Sequence, residues 1–358
     1  MSENKMIKWK DKIRSGAVFF CLWGLSILYL GFNCFYHLDR TMVMSYDEAR
    51  HGVNAFEMMR TGNYIVSTFN YHNDYWNLKP PMSFWAIILD FKIFGTTVLG
   101  LRFYSALALF LTILMISVFL LKRYGKIECL VITTMLACCF SFYAGHFGRN
   151  GDADALYGLF LTAGALALFY VKDNHAFLYL TGAMFSLAFL TKSWHAFILL
   201  AVTAACLAAG GQLKRIRPAE WLIFGLCSFG PILIWAAARF HYDGMRFFSG
   251  MVSYDLMKRS SSVIEGHQGD AFYYVTELFV NTYYTGLFYL LAFLVVIVAV
   301  FGMKSGRIHF SRIRPIWNDL MFYGLWILVP TLLYSIAKSK IKWYVYPLIY
   351  PLVIFTGF

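Results

Sequence analysis

"AVFFCLWGLSILYLGFNCFY", residues 17–36, runs for twenty residues without a charge. At 1.5 Å per residue such a helix spans about 30 Å, the thickness of a bilayer's hydrocarbon core. The run is longer than the apolar stretch of an ordinary secretory leader and no small-residue cleavage pattern follows it. It therefore reads as a first spanning helix and not as a removed signal. Further apolar runs cover residues 103–121, 127–142, 156–171, 177–190, 196–209, 221–238, 285–303, 320–336 and 343–358. None alternates apolar and polar residues as a barrel strand does, and lipid cannot satisfy free backbone polar groups. The expected fold class is all-α: a polytopic membrane protein with about ten transmembrane helices, forming one domain over residues 1–358. Phe358 still lies inside an apolar run, so a natural terminus there and the loss of a C-terminal portion are both open.

The formal net charge of +12 raises the question of nucleic acid, but the cations fall in a pattern that topology explains. Lys5, Lys8, Lys10, Lys12 and Arg14 precede the first run. Lys122, Arg123 and Lys126, then Lys172, then Lys214, Arg215 and Arg217, then Lys304, Arg307, Arg312 and Arg314 fill alternate connections. The positive-inside rule puts these short loops on the cytoplasmic side. Nucleic acid is accordingly not expected as a partner; membrane lipids are. The seven cysteines all lie in apolar runs, without a C-x-x-C pair or a metal-ligand spacing, and read as small buried hydrophobes.

On this topology the elaborate connections face outward, and most acids lie there. Residues 38–102 form a long first outer loop that includes "SYDEARHG" (45–52). Apolar residues near helical spacing over 47–59, and the run 82–94 broken by Asp90 and Lys92, predict two amphipathic helices lying at the membrane interface. "GHFGRNGDADALYG" (145–158) is a second irregular stretch, and residues 239–281 a third.

Ionisable groups beside hydrocarbon face a cavity or one another. Asp47 and Glu48 open the first loop, and Asp152 and Asp154 head a later helix; alone, any of the three aspartates could be an ordinary helix cap. Arg50, Arg149, Lys192, Arg259, His267, Lys338 and Lys340 also fall at outer helix ends, where together they can line one polar pocket. Such a pocket suits a phosphate at the lipid surface, because Arg and Lys supply charge-assisted donors. Aromatic neighbours such as Tyr46, Trp76, Trp194 and Trp343 can stack on a sugar or serve as an interfacial belt.

Six segments in order carry a resemblance: "DEARHGVNAFEMMRTGNYIV" (47–66), "NLKPPMSFW" (77–85), "RNGDADALYGLF" (149–160), "FLTKSWHAF" (189–197), "RSSSVIEGHQGDAFYY" (259–274) and "SKIKWYVYPLIYP" (339–351). They resemble the C-type membrane glycosyltransferases of the protein O-mannosyltransferase and lipid A aminoarabinose transferase group. That resemblance implies sugar transfer from a polyprenyl-phosphate donor to a lipid, glycan or protein acceptor at the outer face of the cytoplasmic (inner) membrane. It implies Asp47 as the essential first-loop aspartate and Asp154 as the second acid, with Asp152 as the alternative. The chain departs from the pattern at Leu78, where the family has Glu before Lys-Pro-Pro, at His51 for Tyr, and at Ser193 for the Gly after Lys192.

The expected mechanism is one inverting displacement, with Asp47 as general base. Arg50, Lys79, Arg149, Lys192, Arg259, His267 and Lys340 are the donor-phosphate ligands expected, with Glu48 and Asn77 supporting them. No spacing demands a metal and none is assigned, although a divalent cation could share the work on the phosphate. The alternative class is a polar-lipid transporter or flippase; a non-catalytic scaffold is a third reading. Transporters more often place charge at the bilayer midplane between related halves, and here the charges gather at one face.

Overall fold

Residues 16–44, 46–264, 266–278 and 314–357 of the computed structural model are described here. Helices dominate them: α1 (Gly16–Phe35), α2 (Asp47–Thr61), α3 (Met82–Phe94), α4 (Val98–Arg123), α5 (Lys126–Ala137), α6 (Asp154–Leu168), α7 (Ala176–Lys192), α8 (Phe197–Ala209) and α9 (Pro218–Asp243). Then come the short α10 (Arg246–Gly250), a π-helical stretch Met251–Lys258, α11 (Arg259–Ser261), α12 (Tyr273–Thr276), α13 (Arg314–Ile336), the 3-10 turn Lys342–Leu348 and α14 (Ile349–Thr356). The strands β1 (Thr68–Phe69) and β2 (His72–Asn73) form a minimal antiparallel hairpin, Thr68 opposite Asn73.

Five segments are long and apolar enough to cross a membrane: Gly16–Phe35, Val98–Arg123, Ala176–Ala209, Pro218–Asp243 and Trp317–Ile336. The chain is thus a multi-pass, mostly helical membrane protein. The count of ten is not reached among the described residues for a physical reason. Several apolar runs form helices shorter than a bilayer crossing needs, as α5, α6 and α14 do. Runs 177–190 and 196–209 form two helices joined by a 3-10 turn at Ser193–Ala196, within one candidate span. The run 285–303 lies outside the described residues.

α4, α6 and α7 pack at the centre, with α9 against α7 and α13 against α8. Phe142 stacks between Phe147 and Tyr350, at ring-centroid distances of 5.6 and 4.7 Å, where the loop after α5 meets α14. By contrast, Leu28, Ile234 and Ile336 on the outer faces of α1, α9 and α13 are exposed, as lipid-facing side chains are.

Where two helices were expected, over 47–59 and 82–94, the chain forms α2 and α3, packed on each other and, through α3, on α4. The segment between them is held by two acids. Glu57 Oε2 accepts from Thr68 Oγ1 (2.7 Å) and the Tyr71 N–H (3.0 Å). Asp74 accepts from Arg50, Asn54 and the N–H groups of Trp76 and Asn77. Buried Asn77 donates to Asn54 at 2.9 Å, which anchors the start of the Lys-Pro-Pro turn to α2.

Candidate active site

A cavity of about 660 Å³ opens where the irregular segments converge. That volume lies within the range of small-molecule sites, on the order of 300–1,000 Å³. Of the residues expected from the sequence, Asp47, Asn77, Lys79, Asp152, Asp154, Lys192, Arg259 and His267 line it. Four parts of the chain widely separated in sequence supply them.

Asp47 is the first residue of α2, and Tyr46 before it has φ +71°, a region costly to a bulky residue. The acidic loop carrying Asp152 is pressed onto α4 at Gly151, where a Cβ would stand 2.7 Å from the Leu101 side chain. Only glycine permits that approach. Lys192 ends α7, and Ser193 after it has φ +46°, a region that favours glycine.

The cavity charges are mostly paired. Asp154 and Lys192, both buried, form a direct ion pair. Arg259 Nε donates to Asp255 Oδ1 at 3.3 Å, one turn back in the π-helical stretch. His146 Nδ1 meets Asp152 Oδ2 at 3.2 Å, and its ring stacks on Trp343 at 4.0 Å. Burial would lower the His146 pKa, but the bond to Asp152 and that carboxylate's charge raise it. Burial likewise opposes ionisation of Asp152, yet His146, Lys79, His51 and Lys192 together hold it well below the usual carboxylate range.

Two charged groups are left over. Among the described residues, neither the Asp47 carboxylate nor the Lys79 ammonium has a direct ion-pair or hydrogen-bond partner, and both line the cavity. Burial works against the Lys79 charge, but Asp47, Asp152, Asp255 and Asp154 outweigh it and raise its pKa.

Five expected residues lie elsewhere; Lys338 is one, and the other four have partners outside the cavity. Arg50 is forked onto Asp74 (2.8 Å for both bonds) and rests on the rings of Phe69 and Trp76. Arg149 donates to the carbonyls of Asn33, Cys34, Tyr36 and His37, closing the end of α1. Lys340 Nζ donates to the carbonyls of Tyr334 and Ser335 near the end of α13. Glu48 is buried against Arg102. Each found backbone or a carboxylate closer than the cavity.

Arg102, His146, His195 and Asp255 were not singled out from the sequence. His146 and Asp152 sit six apart in one irregular loop, so no helical periodicity signals their meeting. Asp255 and Arg259 are four apart, a helical pair spacing that could have flagged them. Asp47, His146 and Asp152 each offer a ligand atom within 4.8 Å of the others, a set that could hold a metal ion.

Residues 78–235 match the family described as dolichyl-phosphate-mannose-protein mannosyltransferase. An undecaprenyl phosphate-α-4-amino-4-deoxy-L-arabinose arabinosyl transferase of Pseudomonas fluorescens is 22% identical over 321 residues, 87% of this chain and 54% of the relative. Its namesake in Shewanella sediminis is 27% identical over 320 residues, 86% of this chain and 54% of the relative. The chain thus spans about half the length of these curated relatives. The crystal structure of ArnT from Cupriavidus metallidurans bound to undecaprenyl phosphate shares the fold, with a TM-score of 0.70 at 17% identity over 96% of this chain and 60% of that one. The Archaeoglobus fulgidus oligosaccharyltransferase shares it more distantly, with a TM-score of 0.52 at 9% identity, over 96% of this chain and 50% of that one. Matched segment, relatives and fold all agree with the resemblance, carried by the motifs, to the C-type membrane glycosyltransferases of the protein O-mannosyltransferase and aminoarabinose transferase group.

Proposed function

We propose that the chain catalyses inverting transfer of a sugar from a polyprenyl-phosphate donor to a lipid, glycan or protein acceptor. The site would lie on the periplasmic or extracellular side of the cytoplasmic membrane. The observation that carries this reading is an acid and a cation, Asp47 and Lys79, that have no direct partner among the described residues and line one cavity with Arg259 and His267. The relatives' names, and the lipid phosphate in the ArnT crystal, support the donor class.

In the reaction, the acceptor oxygen attacks the anomeric carbon as the bond from that carbon to the phosphate oxygen breaks. The hydroxyl proton passes to Asp47, whose carboxylate is not tied to a cation, and the electron pair leaves on the phosphate. Negative charge growing there is met by Lys79, with Arg259 and His267 beside it. A phosphate is a competent leaving group, so no general acid is needed. Asp154, neutralised by Lys192, is poorly placed to accept a proton; its role is to hold Lys192 at the cavity wall. A divalent cation on Asp47, His146 and Asp152 would add to the charge opposing the phosphate.

The test is transfer of radiolabelled sugar from a polyprenyl-phosphate donor by the detergent-purified chain. Asp47→Asn should reduce turnover by about 10²- to 10⁴-fold, the usual worth of a general base. Turnover unchanged in that variant removes Asp47 from the mechanism. A labelled donor that changes membrane side in proteoliposomes without any transfer would instead favour the flippase reading.

A further inference from the structure

We propose that His195 is a specificity residue for the donor: its Nε2 accepts a hydrogen bond from a hydroxyl of the sugar that the lipid phosphate carries. The inference rests on the transfer reading above, because it takes Lys79 and Arg259 to mark the phosphate end of the cavity.

The argument starts at the 3-10 turn Ser193–Ala196, which interrupts the span Ala176–Ala209 and brings the His195 imidazole to the cavity wall. Three contacts hold it there. Nδ1 lies 3.2 Å from the Lys192 carbonyl oxygen; a carbonyl only accepts, so Nδ1 carries the proton. The Tyr157 hydroxyl donates to the His195 carbonyl at 2.9 Å and anchors the turn to α6. The ring stands edge-on to Tyr344, with centroids 4.5 Å apart.

A neutral imidazole protonated at Nδ1 presents a bare lone pair at Nε2. Histidine is mostly uncharged at neutral pH. No carboxylate pairs with this one: among the described residues, the histidines within ion-pair reach of an acid are His51, His146 and His175. His195 Nε2 has no hydrogen-bond partner among the described residues, and it is not sealed inside protein as His51 Nε2 is.

The acids of the same cavity are committed. Asp154 holds Lys192, Asp152 meets His146, and Asp255 takes Arg259. In the proposed reaction Asp47 receives the acceptor's proton. The imidazole therefore adds an uncharged acceptor to the wall. Its ring lies within reach of the charges of Lys192, Arg259 and Lys79, which puts it on the phosphate side. An uncharged acceptor does not repel a phosphate there, whereas a carboxylate does. Ionised phosphate oxygens only accept, so the lipid phosphate itself cannot satisfy Nε2. A hydroxyl of the attached sugar can, and it needs a partner once it has left water. A few placed polar groups of this kind fix a ligand's orientation in an otherwise apolar site.

The experiment titrates the full chain in detergent micelles with radiolabelled undecaprenyl phosphate, bare or carrying mannose, glucose or 4-amino-4-deoxy-L-arabinose. In His195→Asn the amide can keep the contact made by Nδ1 but stops short of Nε2. This variant should bind at least one glycosylated lipid roughly 2- to 12-fold more weakly than the wild type, the worth of one neutral hydrogen bond. Its affinity for the bare lipid should be unchanged, which also shows that the fold is kept. His195→Gln, whose amide oxygen reaches the Nε2 position, should bind both forms as the wild type does. Wild-type affinity of His195→Asn for every glycosylated lipid overturns the proposal. An equal loss for the bare lipid overturns it too, because it marks a structural role, and so does a Gln variant no better than Asn. A wild type that binds the bare lipid and none of the glycosylated ones also overturns it. A wild type that binds no form of the lipid overturns the donor reading itself, and this inference with it.

Discussion

Arg102 closes on Glu48 as a fork, Nε to Oε1 at 2.5 Å and Nη2 to Oε2 at 2.9 Å, with both side chains buried. The remaining donors of Arg102 reach the carbonyls of Leu38, Thr41 and Met42 and the Thr41 hydroxyl. Glu48 also accepts from the Met44 and Gly151 N–H groups at 2.7 and 2.9 Å. One saturated pair therefore ties the approach to Asp47, the start of α4 and the residue before Asp152. Removing the cation leaves a buried charge alone, which costs about 3–5 kcal/mol. Arg102→Met should lower thermal stability accordingly, and Arg102→Lys should not rescue it because an ammonium cannot fork. A melt within one degree of wild type for Arg102→Met would contradict this account.

Lys79→Gln tests the phosphate cradle separately from the base. A hydrogen bond to a charged group is worth about 1.5–3 kcal/mol, so donor KM should rise roughly 10- to 150-fold while the fold is kept. Steady-state kinetics with varied donor concentration checks this. An unchanged KM would take Lys79 out of the donor site.

The His146–Asp152 pair makes stability depend on pH in chelator-treated protein. Asp152 is depressed from 3.8, so its contribution is present above that value and is lost as pH falls through the folded pKa. His146 is raised from 6.5, so its contribution is full below 6.5 and is lost as pH rises through the folded pKa. The stability gap between wild type and Asp152→Asn should be widest from about pH 4 to 6.5 and narrow above it. Melting curves across pH 4 to 9 decide; a gap that keeps widening toward pH 9 would refute the pairing.

Ser193→Gly should stabilise the fold by about 1 kcal/mol, because glycine adopts φ +46° without strain. The hydroxyl gives no visible return at this position: no hydrogen bond to Ser193 Oγ is found among the described residues, although the residue lines the cavity. Chemical denaturation of the two proteins compares them directly.

Much of this was legible in the sequence. Uncharged runs such as residues 17–36 announce spanning helices, because hydrocarbon leaves the backbone no other choice. The helix α2 followed from residues such as Val53 and Phe56 recurring at helical spacing, and α3 from the apolar run broken by Asp90 and Lys92. The convergence of Asp47, Lys79, Asp152, Asp154, Lys192 and Arg259 was legible because charges beside lipid must find water or each other. What sequence could not tell was which cations stay free. Arg50 and Lys79 look equivalent as residue types, yet Asp74 captures the first and, among the described residues, nothing captures the second. That outcome depends on the hairpin that delivers Asp74, which is a tertiary fact. The number of full crossings was also illegible, since an apolar run of fifteen residues can be a buried short helix as readily as a tilted span.

Arg149 gathers four carbonyls at the C-terminal end of α1, three residues before Asp152. The acidic loop is thus moored to the rim of a helix whose exposed apolar face meets lipid. A helix of fixed apolar length answers a thinner bilayer by tilting. Any tilt of α1 must then tug on the mooring, so the spacing of Asp47 and Asp152 becomes sensitive to the thickness of the surrounding membrane.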